Sequence, residues 1–340
     1  MQSKGRGAVA HAFNEPLRIE EVTFADPGAD EILVRMSATG VCHTDLHAIA
    51  GDWPLKPKLP FIPGHEGVGI VVKAGQNVRD LKEGDRVGLP WLHSACGVCE
   101  WCITGWETQC PRAVFGGYTA NGSFAEYELA PAAYAARIPE KLSDVDAAPI
   151  LCAGVTTWKA LKQTEVIPGQ WVAISGVGGL GQLALQYALA MGLHVIAVDI
   201  DPQKLQLARE MGAAITLDAR EQDVAKAVQS AVDGAHGVVV TAVSLAAFEQ
   251  AIGMTRRRGT CVLVGLPPGK FPAPLFDVVA KGLTIRGSFV GTRADLQEAL
   301  AMASDGRVRS HIRTQPLETV NQALADLRGG KVEGRVVLTM

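Results

Sequence analysis

The sequence predicts an α/β chain in two parts: an irregular β-rich half followed by a doubly wound parallel sheet. Three observations carry this. From about residue 152, apolar strand patterns alternate with helical patterns at a period of about 25 residues. The first half shows instead short apolar runs broken by Gly and Pro. The length, 340 residues, suits about two domains.

In chain order, 32–37, 68–73 and Arg86–Leu89 read as strands bounded by turn residues, with a proline-punctuated loop at 55–64. Then Trp171–Ser175, 195–198, 214–217, 237–241, 261–264 and 283–286 are six strand candidates. Helical patterns lie between them, for instance 179–191, 202–211 and 222–232. Strands joined through helices run parallel, because a tight turn cannot return the chain in the same direction. The arginine run 256–258 reads as a solvated helix end before Gly259. After Gly287 the alternation stops. Arg293–Ser304 and 317–327 read as helices and Arg335–Thr339 as a closing strand. This tail is too short for a domain of its own. The expected division is therefore 1–151 with 288–340, and 152–287.

Hydrophobic residues make up 48% and charged residues 20%, a balance that opposes disorder. Lys and Arg number 32 against 35 Asp and Glu, net −3, which gives no reason to expect nucleic acid or an anionic membrane as partner. Residues 1–10 are polar and basic with no apolar signal-peptide core, so a reducing cytoplasm is expected. The uncharged stretch 171–198 has the length of a membrane span but contains four glycines within 176–181 and reads as strand, turn, helix and strand.

Gly176-Val177-Gly178-Gly179-Leu180-Gly181 is a GxGxxG run placed directly after a strand and opening a helix. Its glycines let the backbone approach a pyrophosphate whose charge sits at the helix N-terminus. Asp199 ends the next strand, 18 residues after Gly181. A carboxylate there accepts hydrogen bonds from ribose hydroxyls and repels a 2′-phosphate, which favours NAD over NADP.

Cys96, Cys99, Cys102 and Cys110 form C-x2-C-x2-C-x7-C. Four thiolates so close can close a tetrahedral shell round zinc; an iron–sulfur cluster is the alternative. Cys42, His65 and Cys152 offer two thiolates and an imidazole, the three-ligand pattern of a catalytic zinc with one open position. Cys261, in an apolar strand, reads as a buried small hydrophobe.

These signals fall together in one order: Cys42-His43-Thr44-Asp45-Leu46-His47, Gly64-His65-Glu66-Gly67, the four-cysteine lobe at about 93–113, Cys152-Ala-Gly-Val-Thr156, the glycine run and Gly334-Arg335. The chain resembles, end to end, the zinc-dependent medium-chain alcohol dehydrogenase family, in its bacterial and yeast-type form. That resemblance implies a GroES-like catalytic domain and a Rossmann domain with a six-stranded sheet. By similarity Cys42, His65 and Cys152 hold a catalytic zinc, Glu66 is its intermittent fourth ligand, and Asp45 orients His65. Thr44 takes the substrate proton, which passes by a ribose hydroxyl to His47. His43 and Arg335 contact the cofactor pyrophosphate. Lys204 joins the cofactor-binding set, and Thr156, Val264, Ser288 and Val290 fall at the nicotinamide. Trp53 and Trp91 narrow the alcohol pocket toward small primary alcohols such as ethanol, with Leu266 at its outer edge.

The implied activity is reversible oxidation of such alcohols to aldehydes with NAD and two zinc ions per subunit, by a homotetramer. Zinc lowers the pKa of bound water from about 16 to roughly 7, on the order of 12 kcal/mol, and an alcohol would gain a comparable part. Two alternatives stand beside it. One is a zinc dehydrogenase of the same fold for a polyol, an aromatic alcohol or a formaldehyde–thiol adduct. The other is a non-catalytic zinc- and nucleotide-binding sensor, against which the Thr44–His47 proton exit speaks.

Overall fold

The computed structural model describes residues 2–340. The chain divides into two compact units. One comprises the chain up to Cys152 with Thr292–Ser304 and Ser310–Met340; the other is Ala153–Gly291 with Asp305–Arg309. The borders differ slightly from those expected. Cys152 closes the first unit instead of opening the second, while 288–291 and Asp305–Arg309 fall in the second.

The first unit is built on a seven-stranded sheet. Side by side run Ile312–Pro316, Arg335–Thr339, Glu31–Val41, Gly67–Ala74, Arg86–Leu89 and Ala136–Arg137, with Tyr127–Pro131 also paired to Glu31–Val41. Glu31–Val41 is longer than the apolar run 32–37 because, opposite Gly67–Ala74, two further partners share its other edge. Tyr127–Pro131 pairs with its first five residues, and Arg335–Thr339 with its end, Val336 opposite Val41. Ile32, Val34, Met36, Val71, Val87 and Leu89 form the core under the sheet. A hairpin of Ser3–Val9 and Arg18–Phe24, hidden in sequence by glycines and charges, stands as a separate two-stranded sheet.

The second unit holds six parallel strands in the order Ile215–Asp218, His194–Asp199, Trp171–Ser175, Ala235–Val240, Thr255–Leu263 and Thr284–Gly287. The chain order reverses between Trp171–Ser175 and Ala235–Val240, the switch point where such sheets bind ligands at their carboxyl ends. Val172, Ala173 and Ile174 are fully buried, as continuous apolar runs must be when both faces of a sheet are covered. Helices Gly179–Ala190, Pro202–Glu210 and Val224–Val232 lie close to their predicted bounds; Leu245–Met254 and Leu275–Lys281 complete the alternation.

The arginine run lies within strand Thr255–Leu263, not at a helix end. Its register against the neighbouring strand jumps from Ala235–Thr255 to Gly237–Thr260, and this bulge takes up the arginines and leaves Arg257 and Arg258 exposed. Among the described residues, no helix is long and apolar enough to cross a membrane.

Candidate functional site

Strand pairing in the first unit builds the first site. Thr39 stands opposite Gly67, so Cys42, which follows one strand, and His65–Glu66, which precede its antiparallel neighbour, emerge at the same end of the sheet. The register Val336–Val41 brings Arg335 there as well. Cys152 follows the short 3-10 turn Ala148–Leu151. One donor atom from each of Cys42, His65, Glu66 and Cys152 lies within 4.8 Å of the others, and all four residues are buried.

His65 tests whether this group suits a metal. Its Nδ1 lies 2.9 Å from Asp45 Oδ1. Asp45 is itself pinned: Oδ1 accepts from Gly64 N at 3.2 Å and Oδ2 from Cys42 N at 2.8 Å. With its proton on Nδ1 the ring turns a lone pair outward on Nε2, which is buried without a hydrogen-bond partner. An orphaned buried group costs about 1–3 kcal/mol. Two thiols beside that lone pair complete a donor set that fits zinc.

The same groups compete for protons. Hydrogen bonding from Cys152, opposed by burial and aided by His65, holds Cys42 well below the usual thiol range. Cys152, tied to Cys42 and buried, stands well above it. Burial pushes His65 down, but the charge and hydrogen bond of Asp45, with Cys42, outweigh it and raise the imidazole.

Glu66 is buried against Arg335, whose Nη2 donates to Glu66 Oε1. Burial raises the Glu66 carboxyl and Arg335 opposes the rise. Glu66 Oε2 has no partner. Gly40 makes room for it, since a Cβ there would fall 1.8 Å from this oxygen. No local sequence signal announces the ion pair, whose members are 269 residues apart.

His43, Thr44 and His47 lie on the helix His43–Ala50, the last two one turn apart. Trp91 is buried, edge-on to His65 at 5.1 Å and to Trp53 at 6.3 Å. Tyr118, absent from the sequence reading, packs 5.5 Å from each tryptophan, and its hydroxyl donates to the Leu55 carbonyl. Glu128 was also missed. It is buried on a strand of alternating exposure with Oε2 unpartnered, and burial holds its carboxyl well above the usual range.

The second cluster gathers Cys96, Cys99, Cys102 and Cys110. Cys99 and Cys102 sulfurs stand 3.5 Å apart, and Cys96 and Cys102 3.9 Å. Backbone N–H groups point at the sulfurs: Cys99 N at Cys96, and Cys96 N and Arg112 N at Cys110. Such donors, first that of Val98, push Cys96 down to about 5, as suits a thiolate ligand.

In the second unit Gly176 has φ 95°, and a Cβ at Gly181 would fall 1.9 Å from the Gly176 carbonyl oxygen, so this turn admits no side chain at either place. Gly178 caps the helix Gly179–Ala190, which begins with Leu180 in its first turn. Asp199 Oδ2 accepts from Val177 N at 2.6 Å, joining the carboxylate to the glycine turn. Lys204 Nζ lies 3.9 Å from Asp201 at the start of the next helix. Val264 and Ser288 follow the carboxyl ends of their strands; the Ser288 hydroxyl is buried and unpartnered. Val290 holds φ 42°, a strained value for a β-branched residue. Thr156 is buried in helix Ala153–Gln163, and Leu266 is exposed after Thr255–Leu263.

A doubly wound sheet with this turn, in one chain with a β-rich unit carrying two four-donor clusters, defines the class of metal-binding nucleotide dehydrogenases. Comparison with known proteins specifies it. Residues 28–140 match the model of the alcohol dehydrogenase GroES-like domain, and 179–305 that of the zinc-binding dehydrogenases. An alcohol dehydrogenase of Moraxella sp. (strain TAE123) is 56% identical over 98% of both chains. One from Geobacillus stearothermophilus is 54% identical over 98% of this chain and 99% of its own. Among solved structures, the alcohol dehydrogenase of the archaeon Aeropyrum pernix is 34% identical, with TM-score 0.90, over 98% of this chain and 100% of its own. Acetophenone reductase of Geotrichum candidum in complex with NAD is 28% identical, with TM-score 0.88, over 99% and 97%. CAD of Helicobacter pylori complexed with NADP(H) is 26% identical, with TM-score 0.89, over 100% and 99%. The chain belongs to the zinc-dependent medium-chain alcohol dehydrogenase family and is an enzyme of it.

Proposed function

We propose that this enzyme oxidises small primary alcohols, ethanol-like, to aldehydes, and runs the reverse reaction, with NAD as cofactor. The observation that carries the proposal is the buried, unpartnered His65 Nε2 beside Cys42 and Cys152. Those three residues would hold a catalytic zinc, with the free oxygen of Glu66 in reserve, and the four-cysteine cluster a structural one. Bound, zinc supplies the positive charge that eases loss of the alcohol proton, and NAD accepts the hydride.

The chain's own residues do the rest. Asp45 fixes the His65 ring. The Thr44 hydroxyl receives the proton, and His47, half-buried, delivers it to solvent; a histidine suits that end because its ordinary pKa is near neutrality. Trp53, Trp91 and Tyr118 supply aromatic bulk that leaves room for short chains. Structural neighbours take NAD or NADP(H). Asp199 at the strand end favours NAD here, because its carboxylate opposes a 2′-phosphate. Thr156, Val264, Ser288 and Val290 are assigned to the nicotinamide, and His43 and Arg335 to the pyrophosphate. For Arg335 this adds to its pairing with Glu66. By likeness to the family the enzyme is taken to act in the cytoplasm as a homotetramer.

The test is metal analysis of the purified chain beside NADH absorbance with a panel of alcohols. Two zinc per chain, activity on ethanol with NAD well above NADP, and loss on chelation are expected. A preference for polyols, aromatic alcohols or a formaldehyde–thiol adduct would overturn the substrate assignment. Zinc and nucleotide binding without turnover would overturn the catalytic one.

A further inference from the structure

The helix His43–Ala50 ends at Gly51, which is left-handed at φ 61° and ψ 34°. Its N–H closes on the His47 and Ala48 carbonyls at 2.9 and 3.3 Å. A Cβ at Gly51 would fall 2.6 Å from the Phe13 ring, so the turn is reserved for glycine. This turn folds Asp52 back over the last helical turn. Its two carboxylate oxygens lie 3.0 and 3.1 Å from His47 Nδ1. Trp53 then stacks on the same imidazole, centroids 5.0 Å apart and planes inclined by 20°. Trp53 is in turn held by Tyr118, which anchors the Leu55 carbonyl. Three successive residues thus grip one ring by a turn, a carboxylate and an aromatic face.

A carboxylate only accepts, and a neutral imidazole has one N–H. Facing Asp52, the proton sits on Nδ1 and Nε2 is left as the proton acceptor. We propose that Asp52 is a positioning residue for His47: it sets the tautomer that presents Nε2 to the incoming proton and steadies the imidazolium until that proton reaches solvent. The proposal rests on reading His47 as the end of the proton exit. The other titratable groups near the ring are His43, on the first turn of the same helix, and Tyr118, whose phenol burial and the Asp52 charge push up. The helix Val320–Arg328 packs on His43–Ala50, but among the described residues neither Asp326 nor Arg328 pairs with His47. Lys56 lies over the Phe13 ring, 5.7 Å from its centre.

The experiment follows kcat/KM and kcat for ethanol oxidation against pH in the zinc-loaded enzyme. Asp52→Asn removes the charge and keeps the shape, so the acidic limb should differ from that of the parent enzyme, and added salt should reduce the difference. Asp52→Ala should also lower kcat about tenfold with KM little changed, and Asp52→Glu should restore both. In a His47→Gln background neither the Asn nor the Ala change should have a further effect. If His47→Gln impairs oxidation while Asp52→Asn and Asp52→Ala move neither limb nor kcat, the positioning role is overturned and the exit through His47 stands. If His47→Gln itself changes nothing, the exit through His47 fails, and this inference with it.

Discussion

Asp45 shows how much one side chain can decide. It receives two backbone N–H groups and faces His65 Nδ1, so the ring can neither rotate nor swap its tautomer without breaking that network. Trp91 is the residue on which the proposed substrate size rests. Buried between His65, Trp53, Tyr118 and Phe115, it has little freedom to yield to a longer chain. Trp91→Ala should raise kcat/KM for butanol relative to ethanol about tenfold, as a pocket of one or two methylenes commonly does. A chain-length profile equal to that of the parent would remove Trp91 from the pocket. The four cysteines of the lobe were legible from spacing, and Cys42, His65, Glu66 and Cys152 from the family resemblance. Tyr118 and Asp52 were not, because a lone tyrosine or loop aspartate gains meaning only from its neighbours in space.

At the scale of elements, the four-cysteine lobe is fastened as well as folded. Glu107, buried in the 3-10 turn Glu107–Gln109, accepts from Arg293 N at 2.8 Å and from its guanidinium at 2.9–3.2 Å. Arg293 also donates to the Ala133 carbonyl and lies 4.6 Å over the Tyr134 ring. The arginine is half-exposed, so screening weakens its share, but Glu107 is not. Glu107→Ala should cost about 1–3 kcal/mol, read as an earlier denaturant midpoint with unchanged slope. A midpoint equal to the parent's would show that the lobe does not depend on this ion pair. The strands and helices of the second unit were plain in sequence because short continuous apolar runs alternate there with helical patterns of period 3.6. The first-unit hairpin and the bulged arginine strand were not, since pairing partners, not local propensity, set them.

At the scale of the whole molecule, acid stability has an identifiable contributor. His236 accepts from Trp171 N at Nδ1, 3.3 Å away, and the Arg256 guanidinium lies against the other side of its ring. Burial, then the Arg256 charge, lowers its pKa. A depressed folded pKa means that the unfolded chain takes up the proton first. The stabilisation is complete above the unfolded value of about 6.5 and is lost as the pH falls through the folded one. Between about pH 7.5 and 5.5 the parent should therefore lose more Tm than His236→Gln. Parallel curves would exclude His236 as the source.

The amino-acid order by itself determined the two-part fold class, the glycine turn with its carboxylate, and two sets of candidate metal donors. The fold class, the glycine turn and the four-cysteine lobe rest on local pattern, which survives without knowledge of partners; Cys42, His65 and Cys152, far apart in the chain, rest on residue type and family resemblance. The tertiary structure alone decided that Cys42, His65, Glu66 and Cys152 converge, that Arg335 closes on Glu66, and that Asp52 turns back onto His47. Strand register and a left-handed turn set those distances, and they exist only once residues far apart in the chain have packed.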